Sequence, residues 1–489
     1  MEKLVQLIQE PYSREWPALA EATFDSLFGG GGGRYREAAK SEVTIRAPGG
    51  ELDAPFAALI PAGNPGSGGY GGMSFVIFPA KDAPSLIGLV VGTQGLSPDE
   101  QILGRPGHAR RALAIARWLN KRHGRQLAWA KHDPTRLDIE VPAGIRTDFP
   151  AYSAAFKKYG NVIYCLASPQ GLEPDDIEEA CAAVLDLFFR ERGFEPLKAF
   201  ESQAHAIQSQ YLPELTPSLT EQELVKHLER RRFVVVEGPP GTGKTRAAER
   251  LLANQYGSNG MTVQFHPNTT YESFIGGLAP VTTSEQLGMR FAPKQGVLME
   301  ASARASQSDR PFLLHIDEIN RADLAKVLGE AIFLMEPNVP ERTIELAHDF
   351  GEPHGNSLQL PPNLHILGTM NSADRSTAIL DVAIRRRFAF VKLWPQEDVV
   401  REHGSELTQK AFRRLFDIFV DHASDEAFDL MPGHSYFLAQ QGGDGREQLL
   451  TSLAPLLEEY LAQGYVAGFT EDIRAYLQWL ESTQGSEKI

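Results

Sequence analysis

The chain has 489 residues, 42% of them apolar, and a formal charge of −15. At roughly 100 to 200 residues per domain this predicts two or three domains, and the acidic balance excludes a protein that coats nucleic acid over its whole surface. No run reaches the ~18 apolar residues of a membrane helix and the opening MEKLVQLIQEPYSREW is polar rather than signal-like, which predicts a cytoplasmic protein.

Residues 1–195 read as a mixed α+β domain. Strand-like runs begin at Val43 (VTIRA), Pro55 (PFAALI), Ser74 (SFVIFPA), Leu86 (LIGLVVG), Leu137 (LDIEV) and Asn161 (NVIYCLA). Helical patterns fall at about 108–123 and 174–190, the second opened by EPDDIEE, whose acids suit a helix N-terminus. The glycines at 29–33 and the stretch PAGNPGSGGYGG from Pro61 read as loops; with no strand before and no lysine after, the glycine run is not a phosphate loop. Cys165 and Cys181 are the chain's two cysteines and each lies in an apolar pattern, so they read as core residues rather than metal ligands or a disulfide.

Between Gln101 and His132 stand eight Lys or Arg and no Asp or Glu, the first place to look for contact with an acidic polymer. GHARRALAIARWLNKRHGR fits a helix with Ala112, Ile115, Ala116 and Leu119 on one face and Arg110, Arg117, Lys121 and Arg125 on others, which could hold DNA phosphates; Trp118 or Trp129 could stack on a flipped base. The competing reading is an ordinary amphipathic helix with its tryptophan in the core. Residues 196–219, polar and proline-dotted, read as a linker.

From 220 to 395 the pattern becomes strand, loop, helix, strand, which marks a parallel sheet with crossover helices. The apolar run Phe233 to Val236 leads into Gly238, Pro239, Pro240, Gly241, Thr242, Gly243, Lys244 and Thr245, followed by helix formers. This is a phosphate loop in its required context: backbone N–H groups close on phosphates, Lys244 meets the β and γ oxygens, and the Thr245 hydroxyl ligates Mg2+. PFLLHIDEIN ends a second apolar run in Asp317, a second metal anchor, and Glu318, placed to activate the attacking water. A third run, LHILGTMN, ends in Asn371, whose amide could reach the γ-phosphate or the water; VAIRRRF then puts Arg385, Arg386 and Arg387 at a helix end, a way to deliver a cation from outside the pocket.

GPPGTGKT, IDE, a strand-end asparagine and arginines before a phenylalanine resemble an AAA+ P-loop NTPase. QFHPNTTYESFIGG, IDEINRADLAKVLGE, GTMNSADRS, IRRRF, GHSYF and PLLEEY, spread over about 215–465, resemble in order the NTPase subunit of McrB-type modification-dependent restriction systems. The resemblance implies an α/β AAA+ core with a helical lid over 396–489 and assembly into a ring, usually hexameric. It makes Asn371 a sensor and gives Asp374 and Arg375 to the signature that positions water. Arg386 and Arg387 become fingers reaching the next subunit, and RTIELAHDFGEPHGNSLQLPPN a β-hairpin facing a central pore. It further implies a McrC-type nuclease partner, since few residues follow the motor and no PD…ExK cluster is found, and an N-terminal domain that selects DNA. The nucleotide is GTP or ATP: the guanine-reading NKxD is absent, Asn120-Lys121 being followed by Arg122 and His123. MoxR-like AAA+ chaperones, which remodel proteins, share the strand-end residues but usually not the MNxxDRS signature.

Overall fold

The computed structural model describes the chain except residues 29–33, 36–42, 49–52, 63, 65–70, 93–103, 191–193, 195, 197, 283–288, 337–338, 340, 375–381, 440–442 and 484–489. Among the described residues the apolar runs of the first half form β1 (Val43–Arg46), β2 (Ala57–Pro61), β3 (Met73–Phe78), β4 (Leu86–Val91), β5 (Ala128–Ala130) and β6 (Ile163–Ala167). They pair antiparallel in the order β1-β2-β3-β4-β6-β5. β3 and β4 are buried at every position. Their side chains alternate between two covered faces, which is why they read as unbroken apolar runs. Phe75 meets Phe24 and Phe188 on one face; Val76 and Phe78 pack with Phe149, Tyr152 and Phe156 on the other.

This unit comprises Met1–Pro217 together with Asp417–Ser424. Its interior holds an ion pair: Arg34 Nε and Nη2 donate to Asp186 Oδ1 and Oδ2 at 2.8 and 2.5 Å, with side chains only 1% and 9% exposed. The Tyr35 hydroxyl donates to the same carboxylate and its ring stacks on Phe189. Arg34 Nη1 also donates to Gln203 Oε1 at 2.7 Å.

That last bond bears on the expected linker. Within 196–219 the structure forms a helix, Lys198–Tyr211, that buries Ala204, Ile207 and Tyr211. Spacing of three and four places these residues on one face, and the prolines of the segment lie outside the helix. The stretch as far as Pro217 therefore belongs to the first unit. LDIEV, expected as a strand, is not one, because alternate charges at Asp138 and Glu140 are exposed and Arg136 Nε and Nη2 bond Asp138 locally at 2.7 Å. Cys165 and Cys181 are buried, and burial pushes both thiols up.

The basic helix exists, as Pro106–His123, with Ala112, Ile115, Ala116, Trp118 and Leu119 buried. Arg110 must be withdrawn from the expected DNA face. It is 8% exposed, and its guanidinium donates to the carbonyls of Phe419, Val420 and Ala423 at 2.8–3.2 Å, satisfying the end of the helix Glu406–His422. Arg111 is likewise buried, on Asp421 at 2.7 Å. Of the others, Arg117 is exposed, Lys121 pairs with Glu214 at the surface, and Arg125 donates to Gln170 and Gly171 carbonyls. The run Gln101–His132 thus includes cations spent on the fold.

The second unit comprises Ser218–Phe416 and Asp425–Ile489. Its strands are β7 (Phe233–Gly238), β8 (Gly260–Gln264), β9 (Gly276–Thr282), β10 (Met289–Gln295), β11 (Phe312–Asp317), β12 (Thr343–Glu345), β13 (Ser357–Gln359), β14 (Leu364–Asn371) and β15 (Ala389–Lys392). Five of them form a parallel sheet in the order β15-β7-β14-β11-β8. Phe233, Val235, Leu314, Ile316 and Ile366 enter one core, while Val234, Val236, Leu313 and Leu367 enter another with Leu228 and Leu251 of the covering helices. The chain leaves β7 between β14 and β15 and returns at the far edge as β8, which makes β7 a switch point with a crevice beyond its carboxyl end. β12 and β13 form the hairpin expected within the RTIEL segment; β9 and β10 form a second hairpin that was not anticipated. No described helix is long and apolar enough to cross a membrane.

Asp186→Ala would leave the Arg34 charge buried without its counter-ion, a change that costs about 3–5 kcal/mol. Amide exchange in β3 and β6 should lose protection at a correspondingly lower denaturant concentration, and an unchanged midpoint would contradict the account.

Candidate nucleotide site

β7 delivers the chain at Gly238, and the loop that follows turns on Gly241 (φ +80°) and Gly243 (φ +79°), left-handed conformations that side chains disfavour. Gly243 caps the helix Lys244–Asn254, so first-turn N–H groups face the loop. Thr242 Oγ1 ties the turn to the Pro239 carbonyl at 3.0 Å. Lys244 Nζ donates to the Gly238 and Pro239 carbonyls at 3.0 and 2.9 Å, which folds its ammonium into the loop's concavity. Burial lowers its pKa to about 8, against the attraction of Glu318 and Asp317.

Asp317 ends β11. Its Oδ1 accepts from Thr245 Oγ1 at 2.9 Å and from Thr369 Oγ1, on neighbouring β14, at 2.5 Å. A threonine hydroxyl touching a carboxylate beside a phosphate loop is a set of hard oxygen donors that fits Mg2+, an ion that completes its shell with phosphate oxygens and water. Among the described residues there is no cluster of three or more His, Cys, Asp or Glu that would form an all-protein metal cage.

Glu318 has φ 54° and ψ 47°, left-handed without being glycine. Backbone strain of this kind is concentrated at functional positions. Its N–H is anchored on Thr369 Oγ1 at 3.2 Å, and its Oε2 lies 3.4 Å from Arg321 Nε. Asn371 pairs in register with Gly238 across β14 and β7, its Oδ1 accepts from Ala373 N at 3.2 Å, and its carbonyl accepts from Asn320 Nδ2 at 3.4 Å. Asp374 borders an adjoining cleft of about 340 Å³ with Pro240, Arg321, Asn371, Glu459 and Tyr460. Arg375 lies outside the described residues.

The phosphate loop, Asp317, Glu318 and Asn371 are therefore gathered at the carboxyl edge of the sheet, with Asp374 beside Asn371. Arg386 and Arg387 are not. They end the helix Val382–Arg387 just before β15, which enters the sheet beside the start of β7, with Ala389 opposite Val234. Arg231, two residues before β7, donates to the Arg386 carbonyl at 3.3 Å. The length of β7, about 16 Å at ~3.3 Å per residue, separates this edge from Gly238.

One element of the site had a sequence signal without an assigned role. In GHSYF, Gly433 N donates to the Pro240 carbonyl at 2.8 Å and Ser435 N to the Gly241 carbonyl at 3.0 Å. A Cβ on Gly433 would run into the backbone of Gly241 and Thr242. His434, lowered to about 4 by burial and then by Arg246, is neutral there and accepts from Gln396 N at 3.3 Å. This segment braces the loop from behind.

Gly433→Ala should therefore displace the loop, at the about 1–3 kcal/mol typical of overpacking. Titration with a fluorescent nucleotide should show affinity weakened about ten- to hundredfold, while Gly468→Ala, where a Cβ meets nothing within 4 Å, stays at wild type. Equal affinity for both variants would refute the bracing role.

Residues 233–388 match the model of the AAA domain, dynein-related subfamily. The chain is 30% identical over 362 residues to the EcoKMcrB subunit of the type IV methyl-directed restriction enzyme of Escherichia coli K12, covering 67% of this chain and 77% of that protein. It is also 30% identical over 192 residues to the YdiS component of the type II restriction enzyme BsuMI of Bacillus subtilis 168, covering 32% of this chain and 55% of that one. With YehL of Escherichia coli K12 it shares 27% identity over 204 residues, 41% of this chain and 51% of YehL. Sequence signature, parallel sheet and similarity agree, and the chain belongs to the McrB-type AAA+ NTPase family.

Proposed function

We propose that this chain is the motor of a modification-dependent restriction or related antiphage system, which assembles into a ring, usually of six, and uses GTP or ATP to drive DNA translocation and cleavage by a McrC-type partner nuclease. The similarity to a methyl-directed restriction subunit supports the setting. The observation that carries the ring is the separation of Arg386 and Arg387 from their own phosphate loop by the length of β7. If Arg386 and Arg387 supply charge to a γ-phosphate, in addition to Lys244, they do so in the pocket of a neighbouring copy.

In this reading the loop amides of 238–245 and Lys244 hold the phosphates, and Thr245 and Asp317 hold Mg2+, which neutralises charge on the β and γ oxygens when bound. Glu318 takes the proton of the attacking water, Asn371 is the sensor, and Asp374 and Arg375 belong to the signature that positions that water. Arg117, Lys121 and Arg125 remain as DNA contacts. The Lys121 to Glu214 pair is a surface pair worth about 0–1 kcal/mol, so a phosphate can displace it.

Turnover of ATP and of GTP, measured with and without the neighbouring gene's product and methylated DNA, tests the setting: stimulation by DNA with the partner is expected, and no DNA-dependent change with any partner overturns it. Glu318→Gln should bind nucleotide and assemble but lose at least about 100-fold in turnover; rapid hydrolysis by that variant contradicts the assigned role. The lowered pKa of Lys244 sets a pH dependence. Phosphates raise that pKa, so binding favours the protonated lysine. Affinity should be flat below about 8 and fall by up to about tenfold per pH unit above it. An affinity constant up to pH 9.5 would contradict this.

A further inference from the structure

Three guanidinium groups converge on one carboxylate at the finger end of the module. Glu336 Oε2 lies 3.7 Å from Arg342 Nη1, 3.9 Å from Arg386 Nη2 and 3.8 Å from Arg387 Nη2. One carboxylate cannot neutralise three guanidiniums, so the cluster stays cationic, and its members differ in freedom. Arg342 lies over the Phe333 ring at 4.2 Å and donates to the Phe333 carbonyl at 3.2 Å. Arg387 is 11% exposed and donates to the Ala383 carbonyl of its own helix at 3.0 Å. Arg386 is 65% exposed, held on one side by Glu336. The third arginine of the run, Arg385, turns to the Phe390 ring at 5.2 Å.

We infer that Glu336 is a positioning residue that presents Arg386, and not Arg387, to a neighbouring copy of the chain, with Arg387 and Arg342 as fixed braces of the same carboxylate. The inference rests on the reading that these arginines act in trans. A free arginine carries about 2 kcal/mol of rotamer entropy. Pairing one terminal nitrogen, Nη2, with a carboxylate at 3.9 Å lowers the entropy lost on docking and leaves the N–H donors of Nε and Nη1 for phosphate. Arg387 has too little exposed surface to leave its helix without also abandoning the Ala383 carbonyl. Val382 at 81% and Phe333 at 48% exposure are apolar groups of the same helix and the same cluster, the composition expected where another protein surface is met.

The test compares Glu336→Gln, Glu336→Asp, Arg386→Ala and the double variant Glu336→Gln/Arg386→Ala for kcat, KM and sedimentation with nucleotide. Glu336→Gln should lower kcat about 10- to 100-fold, the range for a misplaced catalytic group, with KM and assembly within about twofold of wild type. Glu336→Asp should recover part of the loss, and the double variant should be no slower than Arg386→Ala alone. Wild-type kcat in Glu336→Gln alongside an inactive Arg386→Ala overturns the positioning role and leaves the trans reading standing. Losses that multiply in the double variant overturn it equally, since they place Glu336 on a separate path. Should Glu336→Gln unfold, Glu336→Asp carries the test by the same kcat and KM comparison, and wild-type kcat there overturns the role. Wild-type kcat in Arg386→Ala removes the trans reading and this inference with it.

Discussion

Parallel pairing of β7 with β14, in the register that sets Gly238 opposite Asn371, is the constraint on which the nucleotide module depends. A slip of one residue would turn Val235 and Ile366 out of one core and push Val234 and Leu367 out of the other, so burial on both faces fixes the register. With register fixed, three strands end at one edge and deliver a loop, a carboxylate pair and an amide to one crevice. The same parallelism starts β15 at the opposite edge and carries the arginine helix there. One geometric fact thus gathers the phosphate loop, Asp317, Glu318 and Asn371 at one edge and sets Arg386 and Arg387 at the other.

Local forces refine what the sheet positions. Asp317 Oδ1 gathers the hydroxyls of Thr245 and Thr369, coupling the first turn after the loop to the two central strands. Thr369 Oγ1 also accepts from the N–H of Glu318, so a single hydroxyl relates the Asp317 carboxylate to the backbone of Glu318. The GHSYF segment closes the arrangement from the helical part of the module by two backbone hydrogen bonds that only a glycine at 433 permits.

The sequence made the module readable where one local pattern has one structural solution. An apolar run ending in GPPGTGKT needs a strand, two positive-φ glycines and a helix, and that is the order observed. IDE and GTMN were legible because both close apolar runs of strand length downstream of a phosphate loop. Tertiary context decided the rest. Arg110 looked like a surface cation, and its partners, the carbonyls at the end of Glu406–His422, lie some 310 residues further along the chain. Lys198–Tyr211 looked like a linker because its buried face is small, with Ala204, Ile207 and Tyr211 set among polar residues. β9 and β10 carry Pro280 and Pro293, which weaken a strand reading until the hairpin pairs them. The division of labour among Arg385, Arg386 and Arg387 had no sequence signal, since it depends on Phe390, Glu336 and Ala383.

The central claim is that the site is completed across a joint between two copies. Mixing Lys244→Ala subunits, which retain the arginines, with Arg386→Ala subunits, which retain the phosphate loop, tests it most directly, with mixed assemblies verified by sedimentation of differently labelled chains. Each variant alone should be inactive, and the mixture should recover a substantial fraction of wild-type turnover. Verified mixed assemblies that remain as inactive as their parents would contradict the account.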